Sequence, residues 1–531
     1  MRYAVMLCLM AIASSAFAQA PPEKPVEKPP EQATWLHSEA DAVGWALTAL
    51  LTYKDEEQPY VRFVYLPPWA DAEWIGATNV AVNLAAGHGT TLHKADVHAN
   101  GHLLAYRLNV LAPDPAKLVK LLTVWDGLAA DDPNFHVPSV NLDRKGFILA
   151  PHLQEVLAKH TTDDAKSQRL DVLLTKLTKS TGAIYQADYV IEQLLTSIRG
   201  KYPEFRQYDF KPLKHTPLQA LLLNRGFYFE ESQKIGGDKG ALLLTSEVTG
   251  KSRLIFATFG LGGRTPMFTT FDFKDERIRP DEQFIRNLIA FEPTADANEV
   301  FVPMPNGLME FVLSDIKGNL QRVAPPNVVT DFSKPDGHTK ELEMGMSCVI
   351  CHMPHSGYRT AKNDMELLLG SEADFVGDDH SYKGKKLSKQ QAVDLLVGRY
   401  GERLDEPDGI LGRARRDFIR AIDRLTDYPV VADGENSSQR VGKKIKEIYH
   451  GYRYQKIDAD RACLELGLKV PAGMGQRYLK IICPSPPVGE REDVLIPLLK
   501  NGAELKRDDF TAIRGELARR AHKARQAYLK Q

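Results

Sequence analysis

The chain of 531 residues has little cysteine, no excess of either charge and, after its first twenty residues, no long apolar run. Five cysteines are too few for a fold stabilised by a disulfide scaffold. Because 68 Lys and Arg residues balance 69 Asp and Glu residues, binding to nucleic acid or anionic lipid through net charge is excluded. Since no later apolar run reaches about 18 residues, we expect no membrane span in the mature chain.

The first 34 residues have the pattern of an export signal followed by a tether. Arg2 supplies a positive start, residues 4–13 are apolar, and Ala16–Ala18 has the small-x-small pattern of a cleavage site. Residues 19–34 are rich in proline and charge, which is typical of a linker. We therefore predict a signal peptide over residues 1–18, cleavage near Ala18, and a periplasmic or otherwise exported mature chain.

Residues 35–330 alternate between helical and extended patterns, without an internal linker. The run of extended segments after residue 240 is separated by Gly, Pro and Asn, and the sequence Pro305–Gly307 is typical of a hairpin turn. These features predict a mixed α/β domain of unknown role that ends in an antiparallel β meander. The strands of the meander are predicted at residues 241–248, 253–259, 268–273, 300–304 and 308–314.

Residues 331–531 are mainly helical by pattern. In residues 411–425, for example, apolar side chains recur on one helical face. The fold class predicted for the whole chain is α+β, with the mixed N-terminal region followed by a helical, cytochrome c-like region.

One pentapeptide, Cys348-Val-Ile-Cys351-His352, has a spacing with a specific chemistry. Cys-x-x-Cys-His is the attachment sequence of c-type haem, in which two thiols bond the macrocycle and the imidazole binds the iron. With this composition, the pentapeptide arises by chance roughly once in 750 chains. A thioredoxin-like pair is disfavoured because no βαβ pattern surrounds the motif, and a zinc site lacks a second ligand pair.

Residues 346–358 (MSCVICHMPHSGY) resemble the attachment segment of c-type cytochromes. The resemblance implies one covalent haem c, with thioethers to Cys348 and Cys351 and with His352 as an iron ligand. The rest of the chain, including the segments PNGLMEFVLSD and APPNVVTD, is similar to a group of large exported c-type haem proteins of undefined activity. This similarity implies no particular substrate.

These features predict an exported monohaem c-type cytochrome that transfers single electrons between redox partner proteins. The alternatives are a haem-dependent oxidoreductase of the peroxidase or oxidase kind and a haem-based sensor or binding protein. The sixth iron ligand separates these functions, because Met or His there favours electron transfer and an open position favours chemistry. Candidates that lie far enough along the chain are Met365, His380, His450, Met474 and His522.

Two weaker patterns are left open. Four histidines, His88, His93, His98 and His102, lie close together, although their spacing does not match common metal sites and a solvated loop is the alternative. Cys463 and Cys483 are either a disulfide or two buried free thiols.

Overall fold

The computed structural model describes a subset of the chain, made up of many segments. The predicted signal and most of the predicted tether lie outside it. The described residues are 33–37, 39–86, 91–131, 184–196, 239–243, 253–258, 267–272, 297–304, 306–315, 321–324, 329–331, 333–357, 380–382, 385–400, 409–428, 434–484 and 492–529.

Helices and β-strands both contribute substantially to the described residues, and the fold is α+β, as predicted. The α-helices are α1 (Glu39–Leu50), α2 (Ala72–Ala85), α3 (Leu108–Leu111), α4 (Pro115–Asp131), α5 (Ala187–Thr196), α6 (Met346–His352), α7 (Lys389–Tyr400), α8 (Ile410–Leu425), α9 (Ser437–Arg453), α10 (Ala459–Glu465), α11 (Gly475–Ile482), α12 (Glu492–Lys500) and α13 (Arg507–Leu529).

The strands fall into two larger sheets and three short pairs. They are β1 (Thr34–Trp35), β2 (Val61–Tyr65), β3 (Asp96–His98), β4 (Leu103–Arg107), β5 (Ile184–Gln186), β6 (Lys239–Leu243), β7 (Arg253–Thr258), β8 (Met267–Asp272), β9 (Ala297–Pro303), β10 (Met309–Asp315), β11 (Val323–Ala324), β12 (Leu342–Glu343), β13 (His380–Tyr382), β14 (Lys385–Leu387) and β15 (Leu468–Lys469).

The chain divides into two compact units. The larger unit is Ala40–Gln455, and the smaller unit joins Met1–Glu39 to Lys456–Gln531. The larger unit thus contains residues from both sides of position 330. The predicted domain boundaries stay a prediction.

In the larger unit, a four-stranded sheet with the order β3-β4-β2-β5 is covered on both faces. Side chains alternate between the faces of a strand, so Phe63 packs with α1 while Val64 enters a larger core with α2 and α5. The pairing of β2 with β5 is parallel, whereas β4 pairs with both of its neighbours antiparallel. The sheet therefore combines parallel and antiparallel pairing, and together with the helices on its faces it makes this region mixed α/β, as predicted.

The second large sheet of this unit is the predicted antiparallel meander, with the order β10-β9-β8-β7-β6. The predicted hairpin turn is confirmed, since β9 and β10 pair directly and Gly307 in the turn has φ +87°. Paired residues share a face, so Phe301 of β9 lies beside Phe268 of β8 and Phe311 of β10. These three rings are buried in the core that also contains Cys348.

The helical part of the larger unit packs against this core. On α8, the predicted apolar face is confirmed, because Leu411, Phe418, Ile422 and Leu425 are all buried. Helix α9 begins with a capping box at Asn436 and buries an apolar face in the same core.

The smaller unit has its own apolar core, formed by side chains of α10, α11, α12 and α13. Thr34 and Trp35 of β1 pair with β15, so a segment near residue 34 is joined to one near residue 468. Among the described residues of the chain, no helix is both long and apolar enough to cross a membrane.

Candidate functional site

The start of helix α6, which carries the Cys-x-x-Cys-His motif, is fixed by Gly345. This residue has φ +93°, and a Cβ atom added there would overlap the backbone carbonyl of Leu195 in α5. Only glycine combines that backbone conformation with so close an approach. Inside the first turn, the Ser347 hydroxyl donates to the Asp331 carboxylate at 2.5 Å and accepts from the Glu343 amide at 3.0 Å.

The segment that follows α6 is fastened by α8 and α9. The backbone carbonyl of Met353 accepts a hydrogen bond of 2.8 Å from the Ser438 hydroxyl. Gly442 lies so close to Pro354 that a Cβ atom there would come within 2.7 Å of the proline Cδ. The left-handed turn at Ser356 and Gly357 then lies against Phe418 of α8. The motif helix is therefore held at both of its ends.

The three predicted site residues lie on the same short helix. Cys348 is fully buried, Cys351 is half-buried, and His352 is buried. Because residues four apart in a helix lie on one face, Cys348 and His352 point the same way, towards the meander. Both rings that contact the His352 imidazole come from that sheet, with centroid distances of 4.7 Å to Phe301 and 5.2 Å to Phe311.

A buried carboxylate, that of Glu299 in β9, faces the same two residues. Its Oε1 atom lies 3.5 Å from Nε2 of His352, and its Oε2 atom lies 3.7 Å from a guanidinium nitrogen of Arg253 in β7. All three side chains are less than a tenth exposed. The other ring nitrogen of His352, Nδ1, is buried and has no hydrogen-bond partner among the residues that the structure describes.

The electrostatics of this cluster favour a charged glutamate and a protonated thiol. Burial raises the pKa of Glu299, but His352, Arg253 and Cys348 together outweigh burial and bring the pKa below its usual range. Burial raises the pKa of the Cys348 thiol well above its usual value, and the nearby Glu299 charge adds to that effect.

Glu299 and Arg253 were not among the predicted site residues. The available signal was an acidic residue in β9, two positions before Phe301. That spacing places it on the same strand face as the buried Phe301 ring. An acidic side chain at such a position requires a partner. The sequence alone does not say which partner, because Glu299 and His352 are 53 positions apart.

The candidate distal ligands are distributed across both units. His450 belongs to α9 in the larger unit, where its ring packs against Tyr449 and Tyr454. Met474 and His522 belong to the smaller unit, in which Met474 packs against the apolar core and His522 contacts Gln526 at 2.7 Å. The side chain of His380 and all of Met365 lie outside the described residues.

The three described histidines of the cluster each have different contacts. His93 is held through its backbone by the Asn83 side chain, His98 lies 3.2 Å from the Tyr53 hydroxyl, and His102 stacks on Trp45. Burial lowers the pKa of each of these three histidines. His88 lies outside the described residues. Within the part of the chain that the structure describes, no three His, Cys, Asp or Glu side chains are grouped to hold a metal ion.

The other two cysteines are free thiols in this structure. Cys463 and Cys483 are both fully buried in the core of the smaller unit. The Cys463 thiol donates to the backbone carbonyl of Gly475 across 3.6 Å. Neither of them belongs to the Cys348 cluster.

The chemistry of the donor set fits a covalently attached haem. Two thiols and one imidazole, the donors that attach and ligate haem c, stand at the attachment spacing on one helix. Neither a protein-family model nor any curated protein or solved structure matches this chain. The assignment of the site therefore depends on these residues.

Proposed function

We propose that the chain is an exported monohaem c-type cytochrome, which takes single electrons from one redox partner protein and gives them to another. One observation carries this proposal: a single helix, α6, presents Cys348 and His352 together on its buried face, with Cys351 one turn from the first thiol. A bound haem c supplies one iron that accepts and returns a single electron.

Each motif residue has a defined role in this proposal. The thiols of Cys348 and Cys351 would hold the haem through two thioethers, each formed when an S–H bond adds across a vinyl group, so that no oxidant is needed. The His352 imidazole would bind the iron, and the rings of Phe301 and Phe311 pack against that imidazole.

Covalent attachment is tested by expressing the full chain in a bacterium with an active c-type haem attachment system. We expect the intact mass to rise by one haem, and the added mass to be on the peptide that contains residues 348–352. Serine substitution of Cys348 or Cys351 should leave a single thioether at most. The matched control is Cys483→Ser, a buried cysteine outside the motif, which should keep the haem. A full-length protein without haem in this host contradicts the proposal.

The role of His352 is separated from attachment by His352→Ala. The variant should keep both thioethers, because the thiols are intact, but should lose the absorption and paramagnetic resonance signals of an iron bound to His352. An unchanged spectrum contradicts the ligand assignment. The same preparation tests export, since the mature N-terminus is expected near residue 19.

A second function, haem-dependent oxidation or gas sensing, is favoured by one feature. The atom that faces His352 Nε2 is a carboxylate oxygen of Glu299, not a Met sulfur or a His nitrogen. An iron without a Met or His as its sixth ligand is open to peroxide or a small gas molecule. Rapid autoxidation and carbon monoxide binding by the reduced protein would support this second function, whereas resistance to both supports electron transfer.

A further inference from the structure

The wall of the meander that faces the His352 imidazole carries two buried opposite charges. The Glu299 carboxylate lies 3.5 Å from the imidazole, and the Arg253 guanidinium lies 3.7 Å from the same carboxylate. The two side chains come from β9 and β7, which are separated by β8. Both are about 6% exposed, so solvent screens neither of them effectively.

Neither charge can move far from this wall. Strand β9 is paired on both sides, with Glu299 opposite Thr270 of β8 and Leu313 of β10. The Glu299 carbonyl also accepts a hydrogen bond from the Thr270 hydroxyl at 3.3 Å. The backbone that carries the Glu299 carboxylate is therefore held in the middle of the sheet.

The contacts of Glu299 differ from those of an ion pair that serves stability alone. A structural pair satisfies the carboxylate with close, often bidentate hydrogen bonds. The Glu299 oxygens lie 3.5 Å from the His352 imidazole and 3.7 Å from the Arg253 guanidinium, beyond the usual range of about 2.7–3.2 Å for a nitrogen donor. One buried carboxylate is thus shared between Arg253 and the motif helix.

We propose that Glu299 and Arg253 act as opposed charges that set the reduction potential of the haem held by Cys348, Cys351 and His352. This inference rests on the proposed haem attachment. Oxidised haem iron carries one more positive charge than reduced iron. A buried anion near it therefore stabilises the oxidised form and lowers the potential, and a buried cation does the reverse.

The test removes each charge with little change in shape. The variants Glu299→Gln and Arg253→Gln are prepared as the full haem-loaded chain, and the iron is equilibrated with one-electron mediator dyes. We expect Glu299→Gln to shift the equilibrium about tenfold towards the reduced form, which is about 59 mV for one electron. Arg253→Gln should shift it towards the oxidised form.

The matched control is Glu310→Gln. Glu310 is also a buried glutamate, but it lies on β10 at a position that alternates to the opposite face of the same sheet. Its substitution should move the equilibrium by less than about twofold, because the removed charge is on the other face.

Two further variants separate charge from packing. Glu299→Asp and Arg253→Lys keep the charges, so they should stay near the wild-type potential, and they remain measurable if a neutral variant does not fold. The inference is overturned if both neutral variants shift the equilibrium in the same direction, if neither moves it by more than about twofold, or if Glu299→Asp shifts it as much as Glu299→Gln. A loss of packing or an influx of water gives shifts without this sign pattern.

Failure of the inference is distinguishable from failure of the proposed function. If mass spectrometry finds no covalent haem in the wild-type chain, the function itself fails. If the haem is attached and the potentials do not move, only the role of Glu299 and Arg253 is wrong.

Discussion

Each unit of the molecule buries a glutamate beside a buried arginine, Glu299 with Arg253 and Glu465 with Arg507, and these two pairs differ in geometry. In the smaller unit, Glu465 accepts two hydrogen bonds of 2.8 Å from the guanidinium of Arg507 and a third of 3.0 Å from Arg461. In the larger unit, Glu299 lies 3.5 Å from the His352 imidazole and 3.7 Å from the Arg253 guanidinium. Both carboxylates are almost completely buried.

The difference in geometry distinguishes Glu465, whose ion pair stabilises the fold, from Glu299, whose charge is positioned beside the candidate site. The hydrogen bonds of Glu465 compensate for its desolvation, and they join α10 to the start of α13. The contacts of Glu299 are longer, at 3.5 Å to the motif histidine and 3.7 Å to Arg253. Buried polar groups left without ideal partners are most common where a protein binds or reacts with something.

The largest effect is expected for Glu465→Gln. The substitution leaves the buried Arg507 guanidinium without its counter-charge, which costs about 3–5 kcal/mol of unfolding free energy. Hydrogen exchange of peptides from α10 and α13, followed across a urea series, measures that loss in the smaller unit. A loss below about 1 kcal/mol would show that the close geometry contributes little.

A second test of the same pair uses pH. Burial raises the pKa of Glu465, but Arg507, Arg514 and Arg461 outweigh burial and lower the pKa from 4.5 to about 2. A depressed pKa gives stability that is complete above about pH 4.5 and is lost as the pH falls towards 2. Between pH 5 and pH 3, wild type should lose about 2 kcal/mol more than Glu465→Gln does. Equal slopes for the two proteins would contradict the lowered pKa.

For Glu299→Gln, the expected loss of stability is smaller, about 1–2 kcal/mol. An amide can keep a polar contact with Arg253, and the contacts it replaces are long. The haem-free chain, made by serine substitution of both motif cysteines, is compared with and without Glu299→Gln by hydrogen exchange of peptides from β9 and α6. A loss as large as that of Glu465→Gln would place both glutamates in the same structural class.

The sequence predicted the meander, the β9–β10 hairpin and the buried face of α8, because strand alternation, turn residues and helical periodicity are local signals. It also identified Cys348, Cys351 and His352, since their spacing is itself the signal. Whether these residues hold a haem stays a prediction.

Sequence patterns could not predict the contact between Glu299 and His352. The contact joins a sheet strand to a helix across 53 positions, and it depends on the packing of the meander face against α6. The parallel pairing of β2 with β5 is another long-range feature that no local pattern encodes.

The smallest effect is expected for an exposed pair in the smaller unit, Lys456 with Glu504. Its charged atoms are 3.4 Å apart, and the side chains are 67% and 55% exposed. Solvent screening and the entropy of ordering two flexible side chains leave such a pair with about 0–1 kcal/mol. A double-mutant cycle of Lys456→Ala and Glu504→Ala should therefore give a coupling energy below about 1 kcal/mol that falls further in high salt. Because Glu465 lies in the same unit, a coupling as large as the loss from Glu465→Gln would mean that pairing alone, and not burial with close geometry, accounts for the stability of ion pairs in this protein.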